Sequence, residues 1–367
     1  MPPTAKTPSA TSRPDDRTPL GASSRVRASA SESASTPPPP EDEGSFEWFE
    51  WASRQGNLVP VYLRVFGDQL TPVLAYRCLV AEDDRAAPSF LFEAVTGGTQ
   101  QGRWSYVGAQ PRREVLARGQ KVTYLDHGVL QRTHAELADP LAALAAESAR
   151  WRPVRARGLP PGIFSGGWVG YAGYDTVRYG YLEKLAFQAA PEDDRGLPDM
   201  HLALYEDVVV FDHATKLVYA VTWVDLEEHG VGNEGSKEDG RENQDGDQDA
   251  ASSSATPTRR RAALYEAWEE GLGRLEALVS RLSPRRAPVL PAGSVGKLQL
   301  EQAPDPSNLR SDMGREGYVA RVRRAQEHMR AGDVFQLVLS QRFVRRTFAD
   351  PFEIYRALRV VNPSPYM

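Results

Sequence analysis

Cysteine and long hydrophobic runs are what this sequence lacks. Cys78 is the single cysteine among 367 residues, so no disulfide can form within the chain, and this composition is typical of a reducing compartment. No apolar stretch approaches the about 18–20 residues that a membrane-spanning helix requires. Because Cys78 has apolar neighbours in the sequence, we interpret it as a small core residue, with a catalytic thiol as the alternative.

The sequence also lacks the common catalytic motifs. It contains neither a phosphate-binding G-x-x-x-x-G-K-S/T loop nor a G-x-S-x-G nucleophile elbow. None of its six histidines has metal-ligand spacing relative to another histidine or to the cysteine. The acidic runs Asp83-Asp84 and Glu192-Asp193-Asp194 could hold Mg²⁺, but adjacent carboxylates in proline-flanked loops are more typical of solvated surface. The residues alone therefore identify no catalytic centre.

A third absence is a basic stripe of the kind that binds nucleic acid. The formal net charge is −5, but residues 227–249 contain nine acidic residues against Lys237 and Arg241, so the remainder is close to neutral. Residues 227–258 are mostly Gly, Ser, Asp and Glu, which predicts a disordered acidic insert. We expect neither nucleic acid nor a membrane as a partner.

The first 44 residues are rich in Ser, Thr, Ala and Pro and lack apolar periodicity. Such a segment buries too little surface to offset its chain entropy, which predicts a disordered leader. It is either a plain tail or an organelle transit peptide, and its arginines with few acidic residues favour the second. At the other end, Tyr366-Met367 follows a rigid Pro363-Ser364-Pro365 turn, so we expect the chain to be the N-terminal part of a longer protein.

Hydrophobic periodicity predicts an α+β fold in which large mixed or antiparallel sheets are flanked by helices. Strands and helices alternate irregularly rather than in a βαβ rhythm, and two hairpins are predicted, one around residues 118–120 and one across the turn residues 212–216, which include His213. The predicted strands are Val59–Phe66, Val73–Val80, Glu114–Ala117, Lys121–Leu125, Leu202–Phe211, Leu217–Val224 and Val334–Phe343. The predicted helices are a short one from Phe46, Leu137–Ala149, Leu264–Leu282, Val319–Met329 with Gly332 at its end, and one that begins at Asp350-Pro351.

Two segments are candidates for a small-molecule pocket. Phe90–Ala94 places the Glu93 carboxylate inside an apolar strand, where a buried charge needs a partner. Residues 362–367 combine a rigid turn with an aromatic ring and a thioether, which suits contact with a flat apolar ligand. The alternative is a satisfied core carboxylate and an ordinary proline turn. In Gly166–Tyr174 glycines alternate with aromatics, which favours close strand packing over ligand contact.

Several segments, in this order, resemble the large (α) subunit of anthranilate synthase, of the chorismate-using enzyme family, and its plant and algal plastid forms above all. The resemblance extends over residues 46–367. It rests on Ala75–Val80, Pro88–Glu93, Gly166–Tyr171, Tyr174–Tyr179, Pro191–Arg195, Leu339–Phe343, Arg346–Leu358 and Asn362–Met367. Such a set of segments in a fixed order is highly specific.

The resemblance implies a lyase that converts chorismate and ammonia to anthranilate and pyruvate with Mg²⁺, the first committed step of tryptophan biosynthesis. It implies a glutamine amidotransferase (β) subunit that supplies the ammonia, and location in the chloroplast stroma. It implies an N-terminal domain over 45–300, after the leader over 1–44, and the start of a chorismate-binding domain over 301–367. Catalytic residues and Mg²⁺ ligands are expected beyond Met367, so none is assigned within the chain.

The resemblance further implies feedback inhibition by tryptophan. Carried over by position, the tryptophan-binding residues are Ala94, Pro365, Tyr366 and Met367. The family has serine where this chain has Ala94, so one possible hydrogen bond to the effector is missing and weaker inhibition is expected. Two alternatives stay open: an aminodeoxychorismate synthase-like enzyme and a non-catalytic tryptophan-binding module. The lone Cys78, with only a leader upstream, leaves no room for the fused glutaminase of the first.

Overall fold

Two five-stranded antiparallel sheets organise the chain. The computed structural model describes residues 38–80, 88–94, 102–181, 183–190, 192–231, 255–282 and 309–367. The elements given below belong to one compact unit, residues 39–367. The predicted leader and the predicted acidic insert lie largely outside the described residues, and Asp83-Asp84 lies wholly outside them.

Sheet A is built from five strands that come from both halves of the chain. In chain order they are β1 (Leu58–Phe66), β2 (Ser89–Phe92), β3 (Trp104–Ala109), β9 (Asp207–Asp212) and β10 (Leu217–Asp225). Their order in the sheet is β1, β10, β9, β3, β2, and every neighbouring pair is antiparallel. The predicted hairpin that becomes β9 and β10 is confirmed and forms the centre of this sheet.

The strands of sheet B come from the part of the sequence between β3 and β9. Its strands are β4 (Arg113–Arg118), β5 (Lys121–Asp126), β6 (Gln131–Glu136), β7 (Gly167–Ala172) and β8 (Met200–Tyr205). They are ordered β6, β5, β4, β8, β7, again with antiparallel pairs throughout. The hairpin predicted from the residues of β4 and β5 is confirmed.

The chain passes directly from sheet B into sheet A at Glu206. Tyr205 ends β8 and Asp207 begins β9, so a single residue separates strands of different sheets. The Glu206 carbonyl accepts a hydrogen bond from the Trp223 amide at 3.0 Å, which ties the crossover to β10. The prediction of one strand over Leu202–Phe211 is therefore wrong, because the polar Glu206-Asp207 pair divides one apolar run between two sheets.

Seven α-helices are present in the described part of the chain. They are α1 (Phe46–Ala52), α2 (Pro72–Leu79), α3 (Pro140–Ala149), α4 (Val177–Gly180), α5 (Ala255–Arg281), α6 (Gly314–Ala331) and α7 (Pro351–Val361). Side-chain caps begin several of them: Asp139 accepts from the amides of Leu141 and Ala142, and Asp350 accepts from those of Phe352 and Glu353. The Asp139 cap explains why α3 begins three residues after its predicted start.

Helix α2 replaces the strand predicted over Val73–Val80. Thr71 caps it by accepting from the Leu74 amide at 3.2 Å, and Pro72 occupies its first turn. Ala75 and Leu79, four residues apart, are buried on one face of the helix. The strand prediction was wrong because it weighed apolar content above the Thr-Pro start signal and the spacing of four.

The larger core lies between sheet A and the helices packed on it. Helices α1 and α5 contribute the fully buried Trp48, Phe49 and Leu264, and Leu275 continues the buried face of α5. Central residues of β9 and β10 contribute mainly valine side chains. A second, smaller core lies on sheet B around Met200. This arrangement of antiparallel sheets with flanking helices confirms the predicted α+β class.

Residues 309–367 contain two short paired strands and two helices. Helix α6 is confirmed, with Gly332 at its end in a left-handed conformation (φ +81°), although no α6 residue is buried. The strand predicted over Val334–Phe343 is wrong: that segment is irregular, and only β12 (Phe343–Val344) pairs, with β11 (Arg310–Ser311). A strand needs a neighbour for its backbone groups, and no described strand lies beside residues 334–342.

The described helices can be compared with what a membrane-spanning helix requires in length and apolar character. None of them combines the length and the apolar character needed to cross a bilayer.

Candidate functional site

Two of the segments that the sequence singled out meet in the structure. The Glu93 amide donates to the Met367 carbonyl at 2.9 Å, and the Met367 amide donates to the Glu93 carbonyl at 3.2 Å. We call this pairing the 93–367 bridge. Ala94 and Met367 are half-buried beside it, whereas Pro365 and Tyr366 are exposed in the preceding turn. The four predicted tryptophan-binding residues thus lie at or next to one bridge.

The Glu93 carboxylate has the partners that the sequence predicts it to need. Glu93 is buried, and its Oε2 accepts from the Tyr355 hydroxyl at 2.8 Å and lies 2.9 Å from Nε of Arg359. Burial and the hydrogen bond to Glu93 raise the pKa of Tyr355 well above its usual value, so the phenol stays protonated. These contacts fix α7 against the end of β2.

Helix α7 is held at its other end by α2. The Phe352 ring stacks on Tyr76 with centroids 5.0 Å apart, and Arg77 forms an ion pair with Glu353 at 3.3 Å. Since α7 leads directly into the 362–367 turn, these contacts position the turn relative to β2. The predicted helix start at Asp350-Pro351 therefore has a positioning role.

A polar pair lies on the other side of Ala94. Ser105 Oγ accepts from the Ala94 amide at 3.0 Å and hydrogen bonds with His213 Nε2 at 2.7 Å. Burial lowers the pKa of His213, which favours the neutral imidazole. Sequence reasoning predicted His213 only as a turn residue. The missing information was the pairing of β3 with β9, which has no local signal.

A cavity of about 590 Å³ lies beside the Glu206 crossover. We call it the junction cavity. The loop over 153–167 supplies much of its lining, including Gly166 and Gly167, and none of the four predicted tryptophan-binding residues is part of it. Its other walls come from both sheets and from the end of α3, as Trp151, Leu204, Tyr205, Glu206, Trp223 and Asp225.

Glu206 is the most perturbed carboxyl group of this region. Burial raises its pKa to about 7, against the lowering effect of Arg274. Arg274 reaches from α5 and donates to Glu206 Oε2 at 2.9 Å and to Asp207 Oδ1 at 2.8 Å. Burial also raises the pKa of Asp225, whose Oδ2 is 3.9 Å from Arg150.

Arg113 brings a guanidinium to the lining of the junction cavity, and its donors are engaged. It pairs with Asp126 at 3.0 Å, with Glu147 at 3.0 Å, and with Glu228. Three carboxylates around one guanidinium leave little free positive charge for a ligand. The positive charge that Arg113 brings to this wall is therefore neutralised within the protein.

In the glycine-rich segment Gly166–Tyr174, one glycine fits the interpretation of close strand packing and two others lie where a ligand could be contacted. Gly170 of β7 lies opposite Leu202, and a Cβ added there would stand 2.0 Å from the His201 carbonyl oxygen. At that position glycine serves close strand packing. Gly166 and Gly167, in contrast, line the junction cavity.

Glu114 joins two histidines on sheet B. It is buried, and its two oxygens are each 2.6 Å from a histidine Nε2, that of His127 and that of His201. Burial acts to raise the pKa of Glu114, but the hydrogen bonds from His201 and His127 outweigh it and the pKa is lowered. The arrangement ties β4, β8 and the end of β5 together.

No metal site forms in the described part of the chain. No group of three or more His, Cys, Asp or Glu side chains there is arranged to hold a metal ion. Cys78 is half-buried and unpaired by disulfide, and burial raises its pKa, which does not favour a reactive thiolate. The described residues thus do not fit the Mg²⁺ that the resemblance implies.

Comparison with known sequences defines a chorismate-using class of protein. The chorismate binding enzyme family matches residues 88–367, and the chain belongs to this family. The predicted resemblance to anthranilate synthase large subunits is also confirmed. The chain is 48% identical over 328 residues to anthranilate synthase alpha subunit 2, chloroplastic, of Arabidopsis thaliana, which covers 89% of this chain and 47% of that protein.

Two further relatives support the same family assignment. Anthranilate synthase alpha subunit 1, chloroplastic, of Oryza sativa subsp. indica is 47% identical over 330 residues, 89% of this chain and 51% of that one. Anthranilate synthase component 1 of Pseudomonas putida is 32% identical over 88% of this chain and 55% of its own length. The chain therefore spans about half the length of the curated relatives that it matches.

Proposed function

We propose that this chain is part of the large subunit of an anthranilate synthase, which converts chorismate and ammonia to anthranilate and pyruvate. The observation that supports this most is the 48% identity to a chloroplastic alpha subunit along 89% of the chain. The proposal includes a lyase reaction in tryptophan biosynthesis, a glutamine amidotransferase subunit that supplies ammonia, and action in the chloroplast stroma.

Within this function we assign the described residues to positioning and regulation. Mg²⁺ would polarise the substrate when bound, but its ligands and the catalytic groups are assigned to none of the described side chains, because no metal-holding cluster forms among them. The chain's own contribution is the Glu93–Tyr355–Arg359 contact, which fixes α7 and the turn that follows it.

The reaction is tested with the complete large subunit and a glutamine amidotransferase. We expect anthranilate, detected by its fluorescence, to form from chorismate, glutamine and Mg²⁺, and to form from ammonia without the amidotransferase. Release of pyruvate should match anthranilate mole for mole. Aminodeoxychorismate as the product, or no turnover of chorismate, would contradict the proposal and favour one of the two alternatives.

We further propose that tryptophan binds at the 93–367 bridge as a feedback inhibitor, in contact with Ala94, Pro365, Tyr366 and Met367. Three observations support this. The bridge joins the two segments that hold these residues, Tyr366 presents an exposed aromatic ring, and α7 connects the turn rigidly to β2. An effector that contacts both segments would stabilise the bridge and with it the position of α7 against β2.

Ala94→Ser is expected to strengthen tryptophan inhibition. The new hydroxyl supplies a hydrogen bond worth about 0.5–1.5 kcal/mol, which is up to about tenfold in affinity. An inhibition titration of the complete enzyme measures the midpoint for each variant. Ala145→Ser, on the exposed surface of α3, serves as the control and should leave the midpoint unchanged. Identical midpoints for the Ala94→Ser variant and the parent enzyme would show that this position does not meet the effector.

A further inference from the structure

The geometry points to the junction cavity as a binding site for a small organic cation: an amine on an aromatic or apolar body. The amine would lie at Glu206 and Asp225, and the body against Trp151, Tyr205 and Trp223. This site is separate from the 93–367 bridge, and the inference does not depend on the function proposed above.

The size and the walls of the cavity suit such a ligand. A volume of about 590 Å³ lies in the range of small-molecule sites, which are concave and mostly apolar with a few polar groups. The Trp223 indole is held in place, because its Nε1 donates to the Ser165 carbonyl at 2.9 Å. Trp151 stacks on Trp168 at 6.2 Å between ring centroids. Because these two rings are already held in place, their faces attract a cation without a further loss of side-chain rotamer entropy.

The available charge at the cavity is negative. Glu206 accepts from Arg274 through Oε2, and no described residue hydrogen bonds to its Oε1. Asp225 Oδ1 accepts the backbone amide of Glu227 at 3.0 Å, and its Oδ2 is 3.9 Å from Arg150. Two largely buried carboxyl groups therefore have hydrogen-bonding capacity to spare, which a positively charged donor would fill.

Anionic ligands are disfavoured by the same arrangement. Arg113, the half-buried guanidinium of the wall, is already paired with three carboxylates. Arg155 is exposed at the lining, where solvent weakens its attraction. A carboxylate ligand would meet Glu206 and Asp225, whose neighbouring cations Arg274 and Arg150 are already engaged with these carboxylates.

The protonation of Glu206 makes amine binding depend on pH. Charged groups reach it from every side: Arg274 from α5, Asp207 from β9, Glu228 after β10 and Arg112 before β4. Its pKa of about 7 means that the group is largely protonated below pH 7 and ionised above it. An ammonium ligand gains most from the ionised form, so affinity should fall as pH decreases from 8 to 6, by up to about tenfold per unit.

Three probes with one ring and one chain length test the charge preference. We would titrate the 367-residue chain calorimetrically with 2-phenylethylamine, with the neutral 2-phenylethanol and with the anionic 3-phenylpropanoate, at pH 8 and pH 6. We expect the amine to bind at pH 8 with a Kd below about 1 mM and the other two at least about tenfold more weakly. At pH 6 the preference for the amine should shrink.

Single-residue variants test whether the amine binds at Glu206 and Trp151. Glu206→Gln should weaken the amine about tenfold and leave the alcohol unchanged, whereas Glu206→Asp should retain part of the preference. Glu136→Gln, on the exposed edge strand β6, is the matched control and should change nothing. Circular dichroism checks folding, and Trp151→Leu replaces Glu206→Gln if that variant does not fold, with about fivefold weaker binding of the amine expected.

Three results would overturn the inference. Equal affinity for the three probes would show an apolar cavity without charge recognition, and no binding up to about 10 mM would show a water-filled space. An unchanged amine affinity in Glu206→Gln, or in Trp151→Leu where it is used, would place any bound amine elsewhere.

Discussion

Arg274→Met is expected to lower the free energy of unfolding by about 3 kcal/mol, because it leaves Glu206 and Asp207 without the cation that both contact. Glu206 is mostly buried, so solvent cannot replace the guanidinium. Urea unfolding at pH 8 measures the loss. At pH 5 the loss should be smaller, since Glu206, with a pKa of about 7, is then protonated and needs no counter-charge.

Arg261→Met on the same helix is the control for this prediction. Arg261 is 60% exposed and forms an ion pair with Glu50 at 3.4 Å, so its loss should cost about 0.2–1 kcal/mol at most. Adding Glu206→Gln to Arg274→Met should recover part of the stability, because it removes one of the two uncompensated charges. Equal losses for Arg274→Met and Arg261→Met would mean that the Arg274 contacts do not matter for stability.

Gly170→Ala should also destabilise the protein by about 3 kcal/mol, because its Cβ would stand 2.0 Å from the His201 carbonyl oxygen and 2.9 Å from the Leu202 Cα. These are backbone atoms of β8, so relief requires β7 to move away from its neighbour. The variant should therefore unfold at lower urea concentration and expose the amides of β7 to faster hydrogen exchange.

Gly273→Ala is the control, and its expected change in the free energy of unfolding has the opposite sign. Gly273 lies inside α5, and apart from its chain neighbours and the nearby backbone of its own helix no atom lies within 4 Å of an added Cβ. Alanine there should raise the free energy of unfolding by about 0.5–1 kcal/mol through helix propensity and reduced chain entropy. If both glycine variants were stabilised alike, Gly170 would not be in close contact with β8.

Local signals were sufficient for much of this fold. Asp350-Pro351 predicted the start of α7, Gly332 predicted the end of α6, and the turn residues between β9 and β10 predicted a hairpin; each has a cause within a few residues of chain. Glu93 was predicted to need a partner because a carboxylate in an apolar strand must be compensated. Its partner Tyr355 could not be identified, since nothing local relates residues so distant in sequence.

The errors have physical causes as well. A strand and a short buried helix both look like an apolar run in the sequence, so the apolar content of α2 predicts a strand, although the cap Thr71 and the first-turn residue Pro72 are helix start signals. The apolar content of residues 202–211 predicts one continuous strand, although the polar pair Glu206-Asp207 interrupts it. That pair was the available signal for the crossover. The junction cavity was not predicted at all, because its walls come from β8, β10, α3 and the loop over 153–167.

The contact between Glu93 and Tyr355 spans 262 positions, and this has a consequence for how the protein is made. At a synthesis rate of about 5–20 residues per second, Glu93 leaves the ribosome roughly 10–50 s before its partner exists. Throughout that interval the Glu93 amide and carbonyl, which pair with Met367 in the folded protein, lack that partner beside an uncompensated carboxylate, at the end of the outermost strand of sheet A. We expect nascent chains of intermediate length to be the species most in need of chaperones.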